Sequence, residues 1–232
     1  MYLPYFIDST WLLLIPGILL SLWAQSRINS AYKTYSQISA ARGITAAETA
    51  KAILRDAGIN DVSIERSPGA GLSDHYSPRE KVLRLSSGVY SSSSIAALGI
   101  AAHEAGHAIQ HKNGYFPIKL RNALAPVVNI GSTLAIPLLI LGIALEAFEL
   151  MYIGIFAFAG VVIFQLITLP LEYNASSRAM AALESGGYLN SDELHGSRKV
   201  LNAAALTYLA AALTAMLQLL RFILLARGRR RN

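Results

Sequence analysis

The chain has 232 residues, of which 53% are hydrophobic and only 15% charged, whereas soluble domains carry about 25% charged residues. Together with a mean hydropathy of +0.42, this composition excludes intrinsic disorder and argues against an ordinary soluble enzyme; several membrane helices would explain it. Much of the net charge of +6 comes from arginines in the C-terminal tail, which favours a membrane surface over nucleic acid as the partner. The absence of cysteine excludes disulfides, thiolate catalysis and cysteine-ligated metal.

The first apolar segment predicts an N-terminal transmembrane anchor within residues 1–26. The uncharged run Ser9–Ala24 is bracketed by Trp11 and Trp23, and aromatic residues of this kind are enriched at membrane interfaces. As a helix the run would be about 24 Å long, slightly less than the hydrocarbon core of a bilayer.

Three more apolar runs follow in the second half of the chain. The runs Ala123–Leu145 and Leu150–Leu171 each exceed the roughly 18 residues needed to cross a membrane. Because only residues 146–149 separate them, they predict an antiparallel transmembrane hairpin at 123–171. The last run, Ala203–Ala226, predicts a C-terminal membrane helix that is followed by a basic tail, together 203–232.

Residues 27–122 are more polar and predict the catalytic domain. Thr45 and Glu48 form a capping-box pattern at the start of a helix over Thr45–Ala57, and Gly58 is its stop signal. Two β-prone pieces, Val62–Arg66 and Lys81–Leu85, flank a turn-rich loop and predict a hairpin or two neighbouring strands.

The segment Ile95–Gln110 predicts a helix, with N-cap candidates among Ser91–Ser94. It contains His103-Glu104-Ala-Gly-His107. Histidines at positions i and i+4 lie on one face of a helix, so both rings can reach one ion, and Glu104 lies beside them to take a proton from a metal-bound water. The pattern therefore predicts one Zn²⁺ per chain, held by His103 and His107, with Glu104 as the catalytic base.

A third protein ligand must come from elsewhere. Gln110 and Asn113 occupy positions where an extended metzincin motif requires glycine and histidine, which leaves the other histidines and the carboxylates. A chain that crosses the bilayer and returns re-emerges on the side it left, and the first residue after the hairpin is Glu172. A carboxylate there is costly unless it is paired or binds metal, so Glu172, in the segment 172–202, is the predicted ligand; its alternative is a boundary carboxylate paired with Arg178 or solvated.

Weaker candidates surround this centre. Asn174 and Arg178 are predicted to steady the ligand or the reaction intermediate, and His75 and Tyr76, in a polar loop, to contact substrate. His111 lies one turn beyond His107 and is either a ligand or a solvated residue at the helix end, whereas His195 is expected to be solvated. If the strand at Lys81–Leu85 were an exposed sheet edge, a peptide substrate could pair with it; the alternative is a fully paired strand.

With HEAGHAIQH, SDHYSPREKVLRLS before it and LPLEYNASSRA after the apolar hairpin, the sequence resembles the YugP-like family of membrane neutral zinc metallopeptidases. It is more distantly similar to the HtpX heat-shock proteases and the CAAX-type membrane proteases. The resemblance implies His103, His107 and Glu172 as zinc ligands and Glu104 as base. Ser176 stands where the HtpX group tends to have aspartate, so an equivalent supporting carboxylate is in doubt.

The expectation is thus a mostly α integral membrane protein with a zincin-like, gluzincin-like centre. It would have two or three short strands beside the active-site helix and about four membrane helices. The predicted activity is endopeptidase cleavage of polypeptides, including misfolded chains or membrane segments. The alternatives are a non-catalytic scaffold or chaperone with the same fold, and a metal transporter, which the uncharged hairpin spans disfavour.

The positive-inside rule predicts an integral protein of the plasma membrane with its catalytic side in the cytoplasm. Basic residues flank the catalytic domain, whereas the far turn of the hairpin carries acidic ones: Arg27, Lys33, Lys112, Lys119 and Arg121 against Glu146 and Glu149. The tail conflicts with this rule if the last helix crosses, because its arginines then lie outside; the alternative is an interfacial or re-entrant helix with the tail on anionic lipid.

Overall fold

The computed structural model describes residues 9–67 and 73–229. The start of the predicted anchor (1–8), part of the turn-rich loop (68–72) and the end of the basic tail (230–232) lie outside these residues. The elements in chain order are a 3-10 helix at Ser9–Leu14, α1 Ile15–Tyr35, α2 Ala46–Asp56, β1 Ser63–Arg66, β2 His75–Ser77, β3 Val82–Leu85, α3 Ser87–Tyr90, α4 Ile95–Lys112, α5 Phe116–Ala144, α6 Phe148–Ser185 and α7 Ser191–Arg229.

The fold class predicted from composition is confirmed at a coarse level. The chain is mostly helical, with one small sheet of three strands. Four helical segments of the described chain are long and apolar enough to cross a membrane: Ser9–Tyr35, Phe116–Ala144, Phe148–Ser185 and Ser191–Gly228.

The chain divides into two compact units. Residues up to Ala24, Leu120–Leu169 and the chain from Thr207 onwards form the first unit, and Gln25–Lys119 with Pro170–Leu206 forms the second. The finer five-segment organisation set out above stays a prediction.

In the first unit, α5 and α6 form the antiparallel pair that the short link between the apolar runs predicted. Small residues let the two backbones approach: a Cβ on Gly142 would lie 2.6 Å from Met151 Cγ, and one on Gly154 would lie 2.8 Å from the Ala135 carbonyl oxygen. Pro126 and Pro137 lie inside α5 without ending it.

The last helix, α7, is continuous from Ser191 to Arg229. A re-entrant segment would require a break, so the re-entrant alternative is wrong. Within the first unit α7 packs closely on α1, where a Cβ on Gly17 would lie 2.7 Å from Thr214 Oγ1, and on α6 through an edge-to-face contact of Phe158 with Phe222.

The second unit begins with α2, whose capping box is confirmed. Glu48 N–H donates to Thr45 Oγ1 at 3.3 Å, and Thr45 N–H donates to a Glu48 carboxylate oxygen at 2.8 Å. Gly58 follows the helix at φ +66°, a left-handed conformation that glycine adopts without strain. The stop signal read from the sequence is therefore correct.

Helix α4 is the centre of the second unit's core. Ser94 caps it by accepting a hydrogen bond from Ala97 N–H at 3.2 Å, as the serine run predicted. Its buried face consists largely of alanine, so neighbouring elements approach it closely, and Leu98, Leu83 and Leu183 fill the space between. This packing fixes α4 against α2, the sheet and the second half of α6.

The strand order β1-β3-β2 corrects one expectation. β3 pairs with β1 in parallel and with β2 antiparallel, so the Lys81–Leu85 region is the central strand and cannot be the exposed edge that would receive a peptide. The alternative of a fully paired strand is confirmed, and the β1–β3 hairpin is wrong because those strands are parallel. β3 starts at Val82 because Lys81 adopts φ +53°, outside the extended range.

Candidate metal centre

Two helices bring together the three predicted zinc ligands. His103 and His107 lie one turn apart on α4, and Glu172 lies on α6, in the part of that helix that belongs to the second unit. Glu172 Oε2 is 3.1 Å from His103 Nε2 and 3.6 Å from His107 Nε2. The carboxylate is 4% exposed, so it is buried against the two rings.

This donor set fits a zinc ion. One nitrogen from each ring and one carboxylate oxygen lie within 4.8 Å of one another. Two ligands bound tetrahedrally to zinc at about 2.0–2.2 Å lie about 3.3–3.5 Å apart, close to the two measured distances. Two imidazoles with one carboxylate are also the protein ligand set of one class of catalytic zinc site, which keeps a fourth position open.

A close contact of two backbones makes this convergence possible. Gly106 lies between the histidines, and a Cβ built on it would be 2.6 Å from the Ala175 carbonyl oxygen of α6. Any larger residue at position 106 would push α4 and α6 apart. The glycine within the HExxH sequence therefore sets the separation between the histidines and Glu172.

Glu104 is held beside the cluster by the sheet. Its Oε2 accepts a hydrogen bond from the backbone N–H of Tyr76 at 3.0 Å. Because Tyr76 is the middle residue of β2, this bond orients the carboxylate on a rigid element. Glu104 is 9% exposed, which shields it from bulk water and suits a proton-transfer group.

The ring of His107 is oriented by Gln110, which is fully buried. The amide nitrogen of Gln110 donates to the Leu171 carbonyl oxygen at 2.8 Å and to Asn174 Oδ1 at 3.0 Å. A carbonyl oxygen can only accept, so Gln110 Oε1 must be the atom 3.0 Å from His107 Nδ1. Nδ1 therefore carries the proton, and Nε2 keeps its lone pair for a metal.

The ring of His103 has a partner of the same kind. Its Nδ1 lies 3.1 Å from Ser176 Oγ, and in the tautomer that leaves Nε2 free for a metal, Nδ1 donates to this hydroxyl. Ser176 is 9% exposed and lies one turn after Glu172 on α6. One helix thus supplies both a ligand and the support for another ligand.

Asn174 and Arg178 form the outer part of this network. Asn174 Oδ1 accepts from Arg178 Nε at 2.7 Å, as well as from Gln110, and the Arg178 guanidinium lies 5.9 Å from the centre of the Tyr115 ring. Arg178 forms no ion pair with Glu172 among the described residues, so the alternative in which Arg178 neutralises Glu172 is wrong.

Charge near His107 outweighs its burial. Burial lowers the pKa of the His107 ring, but its contact with Glu172 and the negative charges of Glu104 and Glu172 more than offset this, so the pKa is raised above its usual value. A cation is therefore favoured at this position.

The other histidines of the described chain lie outside the cluster. His111 Nδ1 lies 2.9 Å from the Tyr76 hydroxyl, His75 is exposed with Nδ1 2.8 Å from the Ser73 carbonyl, and His195 is exposed near the start of α7. Of the weaker candidates, Tyr76 is the one that contacts a proposed catalytic group, through its backbone.

Sequence reasoning missed the roles of Gln110 and Ser176. Gln110 entered it only as a departure from a longer zinc motif, and Ser176 only as a residue standing where relatives have aspartate. Gln110 follows His107 by three positions, which places it on the same helix face, and that spacing was the available signal. Ser176 offers a similar signal, because it follows Glu172 by four positions.

Comparison with known proteins places this site in a family. Residues 10–227 match the family described as "Putative neutral zinc metallopeptidase". The match spans nearly the whole chain, including both helices of the candidate centre, and the chain belongs to this family.

One relative is the protein named "Putative membrane protease YugP" of Bacillus subtilis (strain 168). It is 47% identical over 214 residues, which cover 92% of this chain and 94% of the relative. The resemblance inferred from the motifs is thereby confirmed. No solved structure matches the chain.

Proposed function

We propose that this protein is a membrane-embedded zinc endopeptidase whose ligands are His103, His107 and Glu172 and whose general base is Glu104. One observation carries the proposal: two imidazole nitrogens and a buried carboxylate oxygen converge within 4.8 Å, with the Glu104 carboxylate fixed beside them. The family and its membrane-protease relative support the same reaction. The centre is of the gluzincin type, with two histidines and a glutamate.

Zinc bound there supplies a water acidic enough to attack near neutral pH and polarises the substrate carbonyl. The protein's own groups move the protons. Glu104 accepts the proton of the water as its oxygen adds to the carbonyl carbon, and then delivers that proton to the amide nitrogen as the C–N bond breaks. The Tyr76 N–H keeps the Glu104 carboxylate oriented during both transfers.

The sheet offers an edge to the substrate at β2. Because Tyr76 directs its N–H to Glu104 and not to β3, the outward groups of β2 lie beside the proposed base. An extended peptide that pairs with this edge would bring a scissile bond next to Glu104. The proposed substrate strand therefore runs along β2, in place of the Lys81–Leu85 strand considered from the sequence.

The proposed topology puts the catalytic side in the cytoplasm, at the plasma membrane. The basic residues that flank the catalytic segments and the acidic turn of the hairpin support it. We further propose that α7 crosses the bilayer, because it is uninterrupted and packs on α1 and α6 within the first unit. The short arginine tail then lies outside, against the usual charge bias.

Substitution of the base tests the proposal. Purified full-length protein in detergent is loaded with zinc, its metal content is measured, and cleavage of an unfolded polypeptide such as casein is followed. We expect Glu104→Gln to keep one zinc per chain and to lose at least about a thousandfold in rate, since general-base catalysis contributes about 10²–10⁴-fold. The matched control is Glu184→Gln, an exposed glutamate on the same helix as Glu172, which should cleave as the wild type does.

Each rival function predicts a different result. A non-catalytic scaffold or chaperone would bind unfolded chains equally well with Glu104→Gln and would show no cleavage that depends on this residue. A transporter would move zinc into sealed vesicles without hydrolysis. Either result, obtained with protein that holds one zinc, would contradict the proposal.

A further inference from the structure

A polar groove lies between α1 and α7 in the second unit, formed by side chains that the proposed catalytic centre does not use. Its volume is about 340 Å³. Its walls carry two basic side chains, Arg27 and Lys199, and neutral hydrogen-bonding groups that include Ser30, Thr34 and Asn202.

The charges in this groove have one sign. Among the described residues that line it there is no aspartate or glutamate, and within the described chain the Lys199 ammonium forms no ion pair. Arg27, Lys199 and Asn202 are all exposed. Two cations with hydroxyl and amide groups around them match a phosphate group, which carries negative charge and accepts several hydrogen bonds.

The position of the groove along both helices points to a lipid as the source of that phosphate. The apolar run of α1 ends at Ala24, three residues before Arg27, and the apolar run of α7 begins at Ala203, four residues after Lys199. At 1.5 Å per helical residue, each cation lies about 4–6 Å from the end of a membrane-length apolar run. That is the depth of the phospholipid headgroups.

We propose that this groove is a binding site for the phosphate of an anionic phospholipid. Arg27 and Lys199 contact the phosphate, Ser30 and Asn202 add hydrogen bonds, and the acyl chains follow the apolar runs of α1 and α7. The site is independent of the proposed zinc chemistry and ties the two helices that flank the catalytic segments to a defined lipid.

Native mass spectrometry of the full-length protein in neutral detergent tests this. Dioleoyl phosphatidylglycerol is titrated against dioleoyl phosphatidylcholine, and we expect one phosphatidylglycerol to bind at least tenfold more tightly. The double variant Arg27→Gln/Lys199→Gln should lose about thirtyfold in that affinity, since each basic residue near a lipid surface contributes about a factor of five. The variant Asn202→Asp, which adds a negative charge in the groove, should also weaken it.

The matched control is Lys33→Gln/Arg198→Gln, which removes the same charge from the same two helices outside the groove. It should keep its affinity within about threefold, because diffuse surface charge is screened over about 10 Å. Circular dichroism checks that every variant is folded. Equal losses in both double variants, no loss in the groove variant, or displacement of the lipid by millimolar inorganic phosphate would overturn the proposal; the last result would indicate a free phosphate site.

Discussion

Gln110 Oε1 lies 3.0 Å from His107 Nδ1, and the opposite end of the same amide is held by the Leu171 carbonyl. The backbone of α6 thus fixes which nitrogen of a ring on α4 faces Glu172. Orientation of a metal ligand by a second residue commonly contributes 10–100-fold in metal affinity.

Removing this amide should weaken zinc binding more than it perturbs the fold. We expect Gln110→Leu to lose about 10–100-fold in zinc affinity, measured by competition with a chromophoric chelator. The control is Gln37→Leu, the same change at an exposed glutamine, which should bind zinc normally. If Gln110→Leu were less stable but kept full zinc affinity, Gln110 would be a packing residue only.

Ser176 should act in the same way on the other ring. Ser176→Ala removes the partner of His103 Nδ1, and we expect zinc affinity to fall by about tenfold. Ser176→Asp restores an acceptor, and a more basic one, so zinc affinity should return at least to the wild-type value. An unchanged affinity in Ser176→Ala would show that His103 is oriented by its packing alone.

The spacing of the two helices can be tested at Gly106. In Gly106→Ala the added methyl would meet the Ala175 carbonyl oxygen, and we expect a loss of about 1–3 kcal/mol in the free energy of unfolding together with weaker zinc binding. Gly88→Ala is the control, since a Cβ at position 88 meets nothing within 4 Å. Thermal unfolding and zinc competition measure the two effects. Equal behaviour of both variants would contradict the close contact.

The topology can be tested with single cysteines, because the natural chain has none. We expect a membrane-impermeant maleimide to label Glu149→Cys and Gly228→Cys in intact cells and to label Ser191→Cys only after the membrane is opened. All three positions are exposed, so access depends on the side of the membrane. Protection of Gly228→Cys would mean that α7 does not cross, and labelling of Ser191→Cys in intact cells would reverse the predicted orientation.

Local and repetitive signals explain what could be predicted from the sequence. The capping box at Thr45 and Glu48 involves residues three positions apart, and the HExxH face follows from the helical period alone. The apolar runs indicate four membrane helices because a bilayer sets their minimum length.

Non-local pairing explains what could not be predicted. Whether β3 is an edge or a central strand depends on β2, whose three residues show no pattern of their own. The orientation of Gln110 depends on the carbonyl of Leu171, 61 positions away. Glu172 could be nominated as a ligand because the hairpin argument relates distant positions through the membrane, which is rare in soluble chains.

Zinc K-edge X-ray absorption of the purified protein tests the central claim most directly. With one zinc per chain, we expect two imidazole rings and carboxylate oxygen in the coordination shell, and we expect Glu172→Ala to lose the carboxylate contribution and at least tenfold in zinc affinity. A wild-type protein that binds no stoichiometric zinc, or a coordination shell that Glu172→Ala leaves unchanged, would contradict the account.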